Sequence, residues 1–317
     1  MLLGTDYLIN SVLDTFILDK GHRQPDSYLY VDYHTGNTFI MAKQTLPEPA
    51  LDRLRIAVIG DTHDRHQFIK DMPECDLFIH CGDILMIGRY FTTSDVIKKL
   101  KHFNDWLDTI PAKKKIVIAG NHDHHLMHLG KEKIKEVLSN ATYLENDGIE
   151  FQGVKIWGSP ISRGKSQNTA FQSRSFHNKT MQDCPEATDI LITHGHYEEI
   201  QLKVKHKLHL CGHRHNSYGV KYLTEDNPII SVCAPIHDGH FRLKHRPVII
   251  DFPKFHDPEK GDHSQTANSQ ENLLNQIPLA PISFQAARKK PSLFSYFFHR
   301  KQNKIVPTNI SLRNLNS

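Results

Sequence analysis

Acid, amide and imidazole side chains recur in this chain directly after short apolar runs. AVIGDTHD ends on Asp61 and His63, FIHCGD on Asp83, and VIAGNHD on Asn121 and His122. LITHG ends on His194, and HLCGHRH on His213 and His215. Two aspartates, one asparagine and several histidines form a mixed oxygen and nitrogen donor set, which suits Mn²⁺, Fe²⁺ or Zn²⁺. No cysteine adjoins them at ligand-type spacing, which argues against a sulfur-bound zinc. Seven donors are too many for one ion and suit two that share a carboxylate. Such a pair, about 3.5–4 Å apart, is the usual clamp for in-line displacement at phosphorus.

The elements that carry these groups are legible as patterns. RIAVIG, CDLFIHCGD, KIVIAGN, GVKIWGSP, TDILITHG, KLHLCGH, NPIISVCAP and RPVIIDFP each hold four to six strand-type residues. Several are continuous rather than alternating, which predicts strands buried on both faces of layered α/β architecture. In an open α/β sheet, ligands gather beyond the carboxyl ends of the strands, so the tips can converge. Glycines 60, 82, 120 and 212 precede the polar groups, and a residue without Cβ permits a tight reversal there. Between the runs, SDVIKKLKHFNDWLDTI places Val96, Ile97, Leu100, Phe103, Trp106 and Leu107 on one helical face. Ser94 is its expected N-cap.

Outside that body, residues 1–51 read as an appended amphipathic helix and a hairpin turning at Gly36-Asn37. Residues 52–253 form the expected main domain, and residues 254–317 a flexible basic tail. From Lys254 onward there are nine Lys/Arg against four Asp/Glu, so the preceding residues of this +4 chain sum to −1. That near-neutral body implies no broad nucleic-acid groove. The tail's ARKKPSLFSYFFHRK interleaves aromatics with basic residues, and could touch an anionic membrane or a protein partner, or remain incompletely ordered. No run approaches the roughly 18 apolar residues of a membrane span. Five cysteines without a CxxC pair fit buried, reduced thiols, so the expectation is a soluble, cytoplasmic protein.

The ordered set D-x-H, G-D, G-N-H-[DE], H, G-H-x-H resembles the calcineurin-like metallophosphoesterases, over about two thirds of the chain. FNDWLDTIPAKKKIVIAGNH, GVKIWGSP, DILITHG and VIIDFP look like the MPPED-type branch of small phosphodiesterases. The resemblance implies a four-layer α/β/β/α sandwich with two mixed sheets. It implies that Asp61, His63 and His215 hold one divalent ion, that Asp83 bridges, and that Asn121, His194 and His213 complete the second. Mn²⁺ is favoured, with Fe²⁺ or Zn²⁺ as alternatives. Hydroxide on the metal pair would attack phosphorus, while His122, unligated, would serve the leaving oxygen. Asp123 would orient its loop.

Some members of that branch carry glycine where this chain keeps His213, so a complete two-ion site is expected here. The G-D-x-x-D-R-G run of related protein phosphatases, whose arginine grips phosphate, is replaced by GDILMIGRY; Arg89 is the nearby arginine. THGHYEE stands where THGPP is usual. A small phosphodiester, with nucleotide-like compounds included, is the expected substrate. A phosphomonoesterase or nucleotidase, and a scaffold acting through partner binding, are the alternatives. The bland readings apply elsewhere: His124, His125 and His128 as solvated groups, and His80 as a hydrogen-bonded core histidine. Cys81 and Cys211 read as packing residues. His196, Arg65 and Arg214 stay open between substrate contact and structural roles.

Overall fold

The computed structural model describes residues 25–86, 91–163, 167–222 and 229–254. The N-terminal helix, Arg89 and the basic tail expected from sequence lie outside the described residues.

The apolar runs become two mixed sheets. The first has seven strands, in the order β2 (Thr38–Ala42), β1 (Ser27–Val31), β13 (Val248–Pro253), β3 (Arg53–Ile59), β4 (Cys75–Cys81), β5 (Ala112–Ile118) and β6 (Thr142–Tyr143). The second has six, in the order β11 (Gly219–Tyr222), β12 (Ile230–Cys233), β10 (Leu208–Cys211), β9 (Ile190–Thr193), β8 (Val154–Ser159) and β7 (Asp147–Phe151). Neighbours β3, β4, β5 and β6 run parallel, as do β8, β9, β10 and β12, while β13 and β3 are antiparallel.

Strand residues point alternately to opposite faces, and here both faces are dry. Ile56, Val58, Leu77, Ile79, Ile116 and Ile118 of the first sheet meet Ile156, Ile190, Ile192, Leu208, Leu210 and Val232 of the second. The intervening residues Ala57, Ile59, Phe78 and Val117 face a separate core. Over it lie α1 (Thr93–Asp108), contributing Val96, Leu100, Phe103 and Leu107, and α3 (Lys131–Val137), contributing Ile134 and Val137. The short α2 (His124–Leu129) precedes α3. Behind the second sheet, Trp157 and Leu191 pack with Ile200 of α5 (Glu198–Lys203) and Val204, flanked by α4 (Arg174–Asp183). The result is the expected α/β/β/α sandwich. Among the described residues no helix is long and apolar enough to cross a membrane, and all five cysteines are free and buried.

Two local readings change. The cap of α1 is Thr92, not Ser94: its side chain accepts from Asp95 N at 3.2 Å, while Thr92 N donates to Asp95 Oδ2 at 2.9 Å. A reciprocal capping box needs partners three positions apart, and Ser94 is adjacent to Asp95. The β1–β2 turn occupies residues 32–37, because Asp32 Oδ1 accepts from both His34 N and Thr35 N and Gly36 N donates to Asp32 O. Only Gly36 needs a left-handed φ there, at +66°. The hairpin is continuous with the first sheet, since β1 pairs in parallel with β13.

Candidate metal centre

The carboxyl ends of the parallel strands of both sheets meet at one place. Gly60, just past β3, bridges Pro235, just past β12. Asp61 N donates to Gly82 O, and Gly212 N to His194 O. Five polar residues at these tips turn in left-handed backbone: Asp61 (φ +57°), His63 (+45°), Asp64 (+62°), Asp83 (+54°) and His213 (+65°). Non-glycine residues rarely adopt that region, at a cost on the order of 1 kcal/mol or more each, so the surrounding structure must hold them there.

The glycines serve mainly a different purpose from the reversal expected of them. Gly82 alone among the four is left-handed, at φ +92°. At Gly120 a Cβ would overlap the Asp83 carboxylate, and at Gly212 it would overlap that of Asp61. At Gly60 it would crowd Cys81 Cβ at 3.2 Å. At Gly120 and Gly212 the missing side chains make room for carboxylates that arrive from neighbouring strands.

All seven donors expected from sequence converge, in two clusters. Asp61, His63 and His215 bring donor atoms within 4.8 Å of one another, as do Asp83, His194 and His213. Donors bound to one ion at about 2.0–2.2 Å stand roughly 3 Å apart. His63 Nε2 and His215 Nε2 are 3.2 Å apart, and His215 Nε2 lies 3.2 Å from Asp61 Oδ1. In the second cluster Asn121 Oδ1 stands 2.9 Å from His194 Nε2 and 2.7 Å from His213 Nδ1. Asp83 Oδ2 reaches both sides, 3.2 Å from His194 Nε2 and 3.9 Å from His63 Nε2. Each cluster could hold a divalent cation, with Asp83 between them.

Neighbouring groups orient the donors. His194 Nδ1 donates to Cys81 O at 2.8 Å and His215 Nδ1 to Asp238 O at 2.8 Å, leaving each Nε2 toward its cluster. Asn121 Nδ2 donates to Asn168 O at 3.1 Å, which turns its carbonyl oxygen inward. His63 Nδ1 is buried with no partner among the described residues.

The two sides share one electrostatic pattern: a lowered carboxylate, an imidazole it raises, and an imidazole lowered by burial. Burial pulls the His194 imidazole down, but the Asp83 carboxylate outweighs it and lifts the pKa to about 9. Burial would raise Asp83, yet His194 holds it well below the usual carboxylate range. On the other side burial lowers His63 to about 3. In the second cluster burial lowers His213 to about 4. Asp61 is lowered: burial opposes ionisation, and the His215 hydrogen bond overcomes it. His215 in turn is raised by Asp61 against its own burial.

His122 is placed beside the clusters rather than in one. Its N donates to Asp83 Oδ1 at 2.8 Å and its ring lies 4.8 Å, centre to centre, from that of His63. Burial lowers its pKa. Asp123 joins two tips: its carboxylate accepts from Ile84 N, Leu85 N and Gly120 N at 2.8–3.1 Å. Burial, and then Asp83, raise it to about 7.

Other histidines are structural. His80 is fully buried and hydrogen-bonded to Thr62 Oγ1 at 3.0 Å. His124 Nε2 accepts from Thr169 N at 3.0 Å. His196 sits beside Gln201, 5.9 Å from the His209 ring, on the far side of the second sheet from the interior core. Arg214 is exposed, whereas Arg65 Nη1 donates to Phe241 O at 2.8 Å.

Sequence reasoning passed over the segment after β12. His237 Nδ1 donates to Asp61 O at 2.7 Å, Asp238 O receives His215, and Phe241 packs on the site imidazoles. The signal was present: IISVCAP followed by IHDGH repeats the apolar-run-then-polar-tip grammar of the other five motifs.

The model of the calcineurin-like phosphoesterases matches residues 54–238, a stretch that contains every residue of both clusters. A UPF0046 protein of Caenorhabditis elegans is 29% identical over 240 residues, covering 64% of this chain and 82% of its own length. Metallophosphoesterase domain-containing protein 1 of Homo sapiens is 28% identical over 244 residues, covering 63% of this chain and 71% of its own.

Proposed function

This chain belongs to the calcineurin-like phosphoesterase family, and from that premise we propose that it is a two-metal phosphodiesterase acting on small phosphodiesters. In this reading Asp61, His63 and His215 hold one ion, Asn121, His194 and His213 the other, and Asp83 serves both, with Mn²⁺ the favoured metal. The observation that carries it is the position of Asp83 Oδ2, within 4 Å of an imidazole nitrogen in each cluster. When bound, the ion pair supplies an activated water at neutral pH and offsets charge on the phosphoryl oxygens.

The chain's own residues supply orientation and proton control. Cys81 O and Asp238 O fix the tautomers of His194 and His215, so each presents Nε2 without reorganisation. His122 is tethered by its backbone to Asp83, beside the pair. Its ring N–H would donate to the leaving oxygen and steady the charge that develops there. The GDILMIGRY run, lacking the phosphate-gripping arginine of related protein phosphatases, favours a diester over a phosphoprotein.

The test uses the full chain with Mn²⁺ on bis(p-nitrophenyl) phosphate and p-nitrophenyl phosphate. The diester should turn over faster, chelation should abolish the activity, and Asp83→Asn should reduce it to background. Diester hydrolysis no greater than that of Asp83→Asn would sink the proposal. A faster monoester would move the assignment to a phosphomonoesterase.

A further inference from the structure

Phe241 lies between β12 and β13, in a segment closed by the antiparallel bridge of His237 with Leu243. Its half-buried ring meets three site imidazoles nearly at right angles. Ring centres stand 4.9 Å from His63, 5.4 Å from His215 and 6.3 Å from His122, with interplanar angles of 82°, 82° and 73°. The backbone carrying it is left-handed, at φ +56°. For a bulky side chain that is an outlier, costing on the order of 1–3 kcal/mol.

The segment over-determines this position. Phe241 N donates to Asp238 O at 2.9 Å, and Phe241 O accepts from Arg65 Nη1 at 2.8 Å. The Asp238 carboxylate accepts from His240 N at 2.9 Å, Arg242 N at 3.1 Å and Arg242 Nε at 2.8 Å. A strained, clamped loop thus holds an apolar ring against a wall of metal-type donors, with part of the ring still reaching solvent. Packing the interior does not explain it, because Phe241 belongs to none of the three apolar cores.

We propose that Phe241 determines specificity: its ring is the surface on which the substituent retained on phosphorus rests, selecting diesters whose retained group is aryl or similarly flat and apolar. This rests on the phosphodiesterase reading. The ring is closer to His63 and His215 than to His122, the residue assigned to the leaving oxygen, and so belongs to the retained side. A flat group against a phenyl ring gains a factor of about two to ten in binding.

Bis(p-nitrophenyl) phosphate and methyl p-nitrophenyl phosphate share a leaving group and differ only in the retained one. With Mn²⁺, Phe241→Ala should lose about tenfold in kcat/KM on the first, mostly through KM, and no more than about twofold on the second. Phe241→Tyr should keep the wild-type ratio and Phe241→Leu should fall between, with bound metal equal in all variants. Equal losses on both substrates would overturn the proposal, because that is what mere support of His63 and His215 would produce. An unchanged ratio would overturn it too. A wild-type protein active on both with that result leaves the phosphodiesterase reading standing, whereas one silent on both sinks the two together.

Discussion

The two clusters use the same donor types but are held by different means. In the second, Asn121 Oδ1 lies between His194 Nε2 and His213 Nδ1, and Asp83 faces His194, so its members largely satisfy one another. In the first, His63 and His215 confront each other Nε2 to Nε2, and burial holds His63 neutral. Its outside partners lie in one segment: His237 on the Asp61 carbonyl and Asp238 on His215. Buried polar groups need partners. Both clusters hold an internal carboxylate–imidazole pair and both draw on neighbours, the second on Cys81 O and Asn168 O and the first on the segment after β12. The first should therefore be the more sensitive to changes in the segment after β12.

The largest expected effect falls on both clusters alike. Asp83→Asn removes charge from the group that faces both sides. Turnover should fall on the order of 10³-fold, and metal analysis after dialysis should show both ions depleted. Retention of one ion at full occupancy would mean that Asp83 serves a single cluster.

Gly212→Ala is more selective. The added methyl would strike the Asp61 carboxylate, whereas Gly120→Ala would strike Asp83 and His194. Gly212→Ala should weaken the first ion by about 10- to 100-fold, the range seen when a ligand's support is disturbed, and leave the second bound. Gly120→Ala should weaken both. Calorimetric metal titration of the two variants reads the difference directly, and identical isotherms would contradict it.

The smallest effect lies away from the clusters. His66 is fully buried, hydrogen-bonded to His102 at 2.8 Å, and lowered by burial to about 3. His209 is also lowered by burial, beneath α5. A histidine that titrates lower when folded than when unfolded stabilises the fold above the unfolded value of about 6.5 and loses that contribution as pH falls below it. For His66 the loss at pH 5 is about 2 kcal/mol. Urea titrations at pH 7 and pH 5 should show His66→Gln losing less stability on acidification than the wild type; parallel losses would show that His66 is not kept neutral by the fold.

Much of this site is legible because its chemistry is written five times. Each tip couples an apolar run, which must be buried, to donors that cannot be buried without partners, so the donors must find one another. The sixth tip follows the same rule at His237 and Asp238, yet it supplies no donor to either cluster: His237 bonds the Asp61 backbone, Asp238 receives His215 on its carbonyl, and Phe241 contributes only a ring. The Ser94 cap failed for a related reason: the residue type was suitable, but the reciprocal spacing belonged to Thr92 and Asp95.

The sequence by itself determined the layered architecture, through runs buried on both faces, and the identity of the converging donors, through their types and order. Tertiary structure alone decided that Gly120 and Gly212 yield space rather than turns, and that Phe241 stands over the first cluster. Those features depend on distances between strands far apart in the chain, and on backbone angles fixed by neighbours no local pattern names.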